Sequence, residues 1–291
     1  MTRRPVPYCT RQRGVALLLV LWACTLLAIL LGGYATLART EALQARYQFA
    51  QTQAHYAAEA GLMRAVYGLQ NPQPKQRWSG DGRVYTFRYD QATVTVSAID
   101  ESGKVDLNTA APGVLRGLFQ AVGMNPTAAQ ALTDKVTDWR NPVGLEGTTD
   151  SQRAAYAAAG RDYGPRNGPF VSVEELQMVL GMTPAVYRQV APVVTIWSGV
   201  LSPDPNIAPP LALAAIPGMT PQQQQAIQAA RQKNANDPSL VLNNGTTHSI
   251  RSEARLADGT RAVLRATIRM QAAQAGAQPY AVLRWQEGDA E

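Results

Sequence analysis

The sequence predicts an α+β protein built on one long N-terminal helix, with antiparallel strands and an all-helical region set into the sheet. Three observations predict this. An uncharged run extends from Val15 to Ala38 and passes directly into helical periodicity. Runs that alternate like strands occur early, at 83–99, and again late, at 249–287. Between them the pattern is helical and is broken by Gly-Met turns.

The run VALLLVLWACTLLAILLGGYATLA would cover roughly 36 Å at a helical rise of about 1.5 Å per residue. A hydrocarbon core is about 30 Å thick, so the run is long enough to cross it. Arg3, Arg4, Arg11 and Arg13 precede it and no acidic residue does, so the N-terminus is expected to stay cytoplasmic. The remainder is then outside the cytoplasm. A secretory signal has a shorter apolar region of about 7–15 residues and a small-x-small cleavage site. Here the helix pattern instead continues beyond Arg39, through Leu43, Tyr47, Ala50, Ala54, Ala57 and Gly61 to about Leu69. That stripe is expected to pack on partner helices, with Ala57, Ala58, Ala60 and Gly61 permitting close approach.

Composition is globular, at 46% apolar and 16% charged, with room for two compact units beyond the anchor. The formal charge of +6, less the four arginines before the anchor, leaves +2, which is a weak basis for binding nucleic acid. Cys9 precedes the anchor and Cys24 lies within it, so the exported part has no disulfide.

After the helix, Asn71 to Gly82 reads as a linker with two prolines. RVYTFRY and ATVTVSAI follow as strands, with Asp90-Gln91 as their turn. Helices are expected from Ala111-Pro112, over Asn125 to Arg140, over Ser172 to Leu180, and over Thr183 to Val190. Ser172, with Glu175 three positions later, resembles a capping box. Val193 to Trp197 is strand-like, Asn234 to His248 reads as loop, and Gln271 to Gln278 is Ala/Gln-rich. SIRSEARL, RAVLRATIRM and PYAVLRWQE are expected as the last strands, with Asp258-Gly259 turning between the first two. Strands at both ends thus enclose a helical middle.

That middle echoes itself. The stretches from Asp106, Val179 and Asp204 each read as helix, Gly-Met turn and Pro-capped helix. Such pairs invite a helix-hairpin-helix reading, in which glycine-turn amides hold a DNA phosphate. The positions flanking the turns are Asn125, Gln222 and Gln223 rather than lysines, so small-helix packing is the preferred reading.

Arg13-Gly14-Val15 resembles the processing site of type IV pilin-like proteins, cut after glycine by prepilin peptidase. Most of that family carries Glu at the fifth mature position, where this chain has Leu19. DLNTA, LTDKVTDWR, YGPRNGPFVSVEELQMVLGM and IPGM resemble the minor pseudopilin K family of type II secretion, which also lacks that glutamate. The resemblance implies a type IV pilin-like fold with an inserted, sterile-alpha-motif-like (SAM-like) helical domain. The implied scheme is a leader at 1–14, the anchor helix at 15–70 and a first part of the sheet at 71–100. An insert at 101–235, with a short strand at 193–197, and the rest of the sheet at 236–291 complete it. It also implies processing at Gly14 and Val15, and a tip complex with minor pseudopilins I and J. Pseudopilin H and the major pseudopilin G follow, on an inner-membrane assembly platform. Related readings are a minor pilin of a type IV pilus and a membrane-anchored helix-hairpin-helix protein.

No cofactor is expected from the residues themselves. His55 and His248 stand alone, and there is no zinc spacing, phosphate loop or serine elbow. Asp134 and Asp138 share a helix face, which reads as solvated surface rather than an acid–base pair. Asn167-Gly168-Pro169 reads as a turn and Phe170 as a core anchor, while Arg140 and Arg166 suit surface charges or carboxylate partners. The family resemblance brings calcium as a candidate ligand. Asn141, Pro142 and Val143 stand where acidic residues would be expected, leaving Asp138, Glu146 and Asp150. Weak or absent binding is expected, since calcium takes about six to eight oxygens.

Overall fold

The computed structural model describes residues 15–142, 148–234, 245–271 and 279–288. The chain divides into two compact units between Gln53 and Ala54. Helix α1, Val15–Leu69, supplies the first unit and the opening of the second. It is long and apolar enough to cross a membrane. Thr25 and Thr36 donate their hydroxyls to the carbonyls of Trp22 and Gly33, both at 2.8 Å, so these polar groups are satisfied within the helix.

The second unit holds one sheet of β1 (Asp81–Tyr89), β2 (Ala92–Asp100), β5 (Thr247–Arg255), β6 (Arg261–Met270) and β7 (Tyr280–Glu287). The strands lie side by side in that order and are antiparallel throughout. Asp90 turns β1 into β2 with a left-handed φ of 50°, a conformation that Asp tolerates better than most residues. Alternation divides the faces: Val94, Val96 and Ala98 of β2 are buried, as are Ile250, Ser252 and Ala254 of β5 and Leu264, Ala266 and Ile268 of β6. Ala54, Ala57, Ala58, Leu62, Ala65 and Val66 of α1 are buried with them. A side chain at Gly61 would run into Ser252 and Val94, so glycine there lets helix backbone approach the sheet.

The chain leaves the sheet at Asp100 and re-enters it at Thr247, on strands where Asp100 pairs with His248. The interruption is therefore compatible with one continuous sheet. Asp100 ties the crossing together, accepting from the Ser102 amide and hydroxyl at 2.9 and 2.8 Å and from the Gly245 amide at 3.0 Å.

The interrupting region holds α2 (Pro112–Ala121), α3 (Pro126–Arg140), α4 (Thr148–Ala158), α5 (Pro184–Val190), α6 (Pro210–Ala214) and α7 (Pro221–Asn234). Five of these six begin on proline, whose missing N–H costs nothing in a first turn. The three Gly-Met turns adopt left-handed backbone at Gly123 (φ 92°), Gly181 (φ 93°) and Gly218 (φ 78°). Leu115, Leu118, Phe119, Val136, Trp139, Tyr156, Phe170, Leu176 and Leu213 form the core between these helices.

Several local expectations change. Ser172 to Leu180 is only a short 3-10 turn, Glu174–Met178, with no capping side chain. Glu175 instead accepts from the Val171 amide at 2.9 Å and meets Arg166 at 3.0 Å, so it braces the preceding loop. The strand expected at 193–197 is β4, Val194–Thr195, and it pairs in parallel with β3, Val105–Asp106, away from the main sheet. His248 lies in β5 rather than a loop, because pairing with β2 begins at its position. Helix α4 has no counterpart among the expected elements. The loop expected at Gln271 to Gln278 falls, beyond Gln271, outside the described residues, as does most of that expected before His248.

Candidate functional site

The DLNTA, DWR and RNGPF motifs converge on one buried clasp in the helical region. Asp106, at the end of β3, accepts from the amides of Asn108 (2.8 Å), Thr109 (3.2 Å) and Gly199 (2.8 Å) and from the Ser198 hydroxyl (3.1 Å). Arg140, closing α3, donates to the carbonyls of Leu107 and Ala110 at 3.0 and 2.8 Å. Burial lowers the pKa of Arg140, and nearby Asp106 partly offsets this. Asn108 pairs both ways with the backbone of Phe170, at 2.7 and 3.1 Å. Phe170 in turn stacks near Trp139, with ring centroids 6.2 Å apart. Asn167, at φ 53°, donates to the Asp138 carbonyl at 3.2 Å. The three motifs are thus three sides of one joint, and their polar residues hold loops in place.

The helix-start amides are also occupied from within the chain. Asn125 accepts from the Ala128 amide at 2.8 Å, Thr183 from Val186 at 3.3 Å, and Thr220 from Gln223 at 3.2 Å. Donors already bonded to caps are not free to cradle a phosphate. The DNA reading gains nothing from the turns.

The anchor-stripe residues separate into two sets. Leu19, Leu43 and Tyr47 are well exposed, as is Val15 at the start of α1. Gly14 lies outside the described residues. Ala50 is 9% exposed, Ala54 0% and Ala57 2%, and Gly61 is also buried. Ala54, Ala57 and Gly61 therefore do not form a free partner face: small residues allow close approach, but here to the chain's own sheet. The outward side of this part of α1 carries Tyr56 and Tyr67 instead, while Met63 accepts from the Tyr280 hydroxyl of β7 at 3.2 Å. Their spacing was visible in the sequence, but it lay behind the alanine stripe.

Asp138 stands 3.6 Å from Lys135, Asp150 is exposed in the first turn of α4, and Glu146 lies outside the described residues. Among the described residues no three His, Cys, Asp or Glu side chains gather to hold a metal ion. Among the described residues, Asp138 and Asp150 do not gather with a third carboxylate into the oxygen shell that calcium takes.

His248 is buried at the sheet crossing, with Nε2 3.8 Å from Asp100, while Glu101 beside it is engaged by Lys104 at 2.7 Å. Burial pushes its pKa below the usual 6.5, and Asp100 and Glu101 partly oppose this. The folded chain therefore resists protonation that the unfolded chain accepts. Stability from this group is present above about pH 6.5 and is lost as pH falls toward the depressed folded value, by at most about 1.4 kcal/mol per pH unit. Calorimetry between pH 7.5 and 5 is expected to show Tm falling on acidification, and His248→Leu to reduce that slope. An unchanged slope in the variant contradicts this assignment.

A helix continued into an antiparallel sheet, with a helical region between β2 and β5, defines a pilin-like α+β class. The solved structure of the GspK-GspI-GspJ complex from the enterotoxigenic Escherichia coli type 2 secretion system contains a chain of the same fold. The match has a TM-score of 0.54 at 17% identity, covering 87% of this chain and all of that one. A family model for type II secretion system (T2SS), protein K, matches residues 94–199. Type II secretion system protein K of Pseudomonas aeruginosa is 30% identical over 245 residues, 76% of this chain and 72% of that protein. Its Klebsiella pneumoniae namesake is 31% identical over 213 residues, 63% of this chain and 62% of that protein. The chain belongs to the type II secretion system protein K family. The relatives that show this are named as components of a secretion system.

Proposed function

We propose that the chain is a minor pseudopilin that initiates and caps the pseudopilus of a type II secretion system. In that role it supports export of folded proteins from the periplasm across the outer membrane. The observation that carries this is the 30% identity to protein K of Pseudomonas aeruginosa across most of both chains. The anchor crosses the inner membrane once, with the arginine-flanked N-terminus cytoplasmic. Residues 101–235 are read as a SAM-like domain inserted into a sheet shared by 71–100 and 236–291. Partners are counterparts of GspI and GspJ, which the solved complex holds beside GspK, then pseudopilin H, the major pseudopilin G and the assembly platform. Leu43 and Tyr47 remain the proposed contacts on the anchor helix. Leu19 suits a first position in the filament, because it presents no carboxylate needing a partner in an apolar core.

Two experiments bear on this reading. Deleting the gene should stop secretion, and the intact chain should restore it; secretion that continues without the gene contradicts the proposal. Prepilin peptidase should cut after Gly14 and expose Val15, which is then methylated. Gly14→Leu is expected to leave nearly all of the protein with residues 1–14 attached, as read by mass spectrometry. Normal cleavage of that variant, or an uncut wild-type chain in cells with active peptidase, contradicts the processing site.

A further inference from the structure

The two edges of the main sheet differ. At the β7 edge the register shifts in mid-strand, between Thr267 and Ile268 of its neighbour. At the β1 edge a shift lies between Asp81 and Val84, and from there the pairing is unbroken, from Val84 with Ser97 to Tyr89 with Ala92. Those six residues span roughly 20 Å at strand rise and include neither proline nor lysine. Proline, lysine, bulges and short length are the usual protections of an edge. Among the described residues, no strand pairs with the outer side of β1, and residues 84–89 have no backbone bond outside the β1–β2 ladder. The edge is also apolar. Val84 is 63% exposed on the face turned from α1, and Tyr89 is 50% exposed on the face toward it.

Beside this edge, α1 and β1 enclose a groove of about 620 Å³. Ala60, Arg64 and Tyr67 of the helix line it, with Phe87, Arg88 and Tyr89 of the strand. Among the described residues its lining holds two arginines and no carboxylate. The Arg64 guanidinium lies over the Tyr67 ring, 5.8 Å from its centroid.

We infer that β1 accepts a strand from another polypeptide, an extended segment that pairs along Val84–Tyr89 and sets an apolar side chain, with carboxylates beside it, into the groove. An edge strand offers main-chain groups that a guest strand satisfies, and flanking pockets select its alternate side chains. Every second side chain of the guest falls on the α1 side, where Tyr67, Phe87 and Tyr89 offer an apolar wall. Carboxylates meet Arg64 on that face and Arg88, which pairs with Thr93, on the other. A guest apolar residue on the far face covers Val84. This charge and shape complementarity belongs to the edge itself and does not depend on the filament-tip reading.

The test is binding of the end-capped peptide Thr-Glu-Val-Phe-Glu-Val-Thr to the full-length chain in neutral detergent micelles, by calorimetry and hydrogen exchange. The wild type should bind, and the amides of residues 84–89 should gain protection. In a strand, alternate amides point to the same side. Methylating the peptide nitrogens of one alternate set should therefore abolish binding, and methylating the other set should spare it. Arg64→Gln with Arg88→Gln should weaken binding about tenfold, and Arg64→Lys with Arg88→Lys should retain it within about fivefold. Arg153→Gln with Arg188→Gln, on exposed positions of the helical region, should leave it unchanged. A peptide that does not bind, or that both methylation patterns weaken alike, overturns the added strand. Binding that protects other amides and ignores Arg64 and Arg88 overturns the site.

Discussion

Arginine at both Ala54 and Ala57 is expected to unfold the sheet-bearing unit. Both positions are sealed, at 0% and 2% exposure, on the part of α1 where Gly61 lies against Ser252 and Val94. Each substitution adds a long side chain where only a methyl group fits, at about 1–3 kcal/mol for overpacking. Each also buries a charge without a partner, at about 3–5 kcal/mol. Together these rival the entire stability of a typical domain, about 5–15 kcal/mol. Hydrogen exchange in the full-length chain should show β5 and β6 amides losing protection. Tyr56→Arg with Tyr67→Arg, on the outward side of the same helix, should keep that protection. A double Ala54/Ala57 variant with a protected sheet that loses only its partners would make the alanine stripe a partner face after all.

Asp106→Ala is expected to have the next largest effect, a loss of about 3–5 kcal/mol. Its carboxylate accepts three amides and a hydroxyl in a place almost closed to water. Removing it leaves those donors buried without an acceptor, at about 1–3 kcal/mol each before relaxation. The joint would loosen where β3, β4 and the DWR and RNGPF segments meet. Asp138→Ala is the comparison, since its carboxylate is half-exposed and stands 3.6 Å from Lys135; it should cost under about 1 kcal/mol. Chemical unfolding of both variants measures the difference, and equal midpoints contradict the clasp.

Long periodic elements were legible in the sequence because one physical signal governs each of them. The uncharged run makes α1, Pro112 and Pro126 open α2 and α3, and alternation makes β5 and β6. What was not legible depends on long-range partners. Ala54 and Ala57 have the same pattern whether they meet another protein or β2, and only the folded sheet decides between these. Ser172 and Glu175 form a good local capping pattern, but Arg166 and the Val171 amide compete for Glu175. His248 read as loop because its strand pairing comes from Asp100, 148 positions earlier. The clasp residues were visible as motifs, but their role as a joint required Asn108 to meet Phe170 across 62 positions.

The proposed place of this chain, at the end of the filament, is open to labelling. An epitope placed after β7 should be visualised with gold on pseudopili sheared from cells that secrete normally. One label cluster per filament, at a single end, is the expected result. Labels spaced along the shaft would contradict a cap and place the chain among the repeating components.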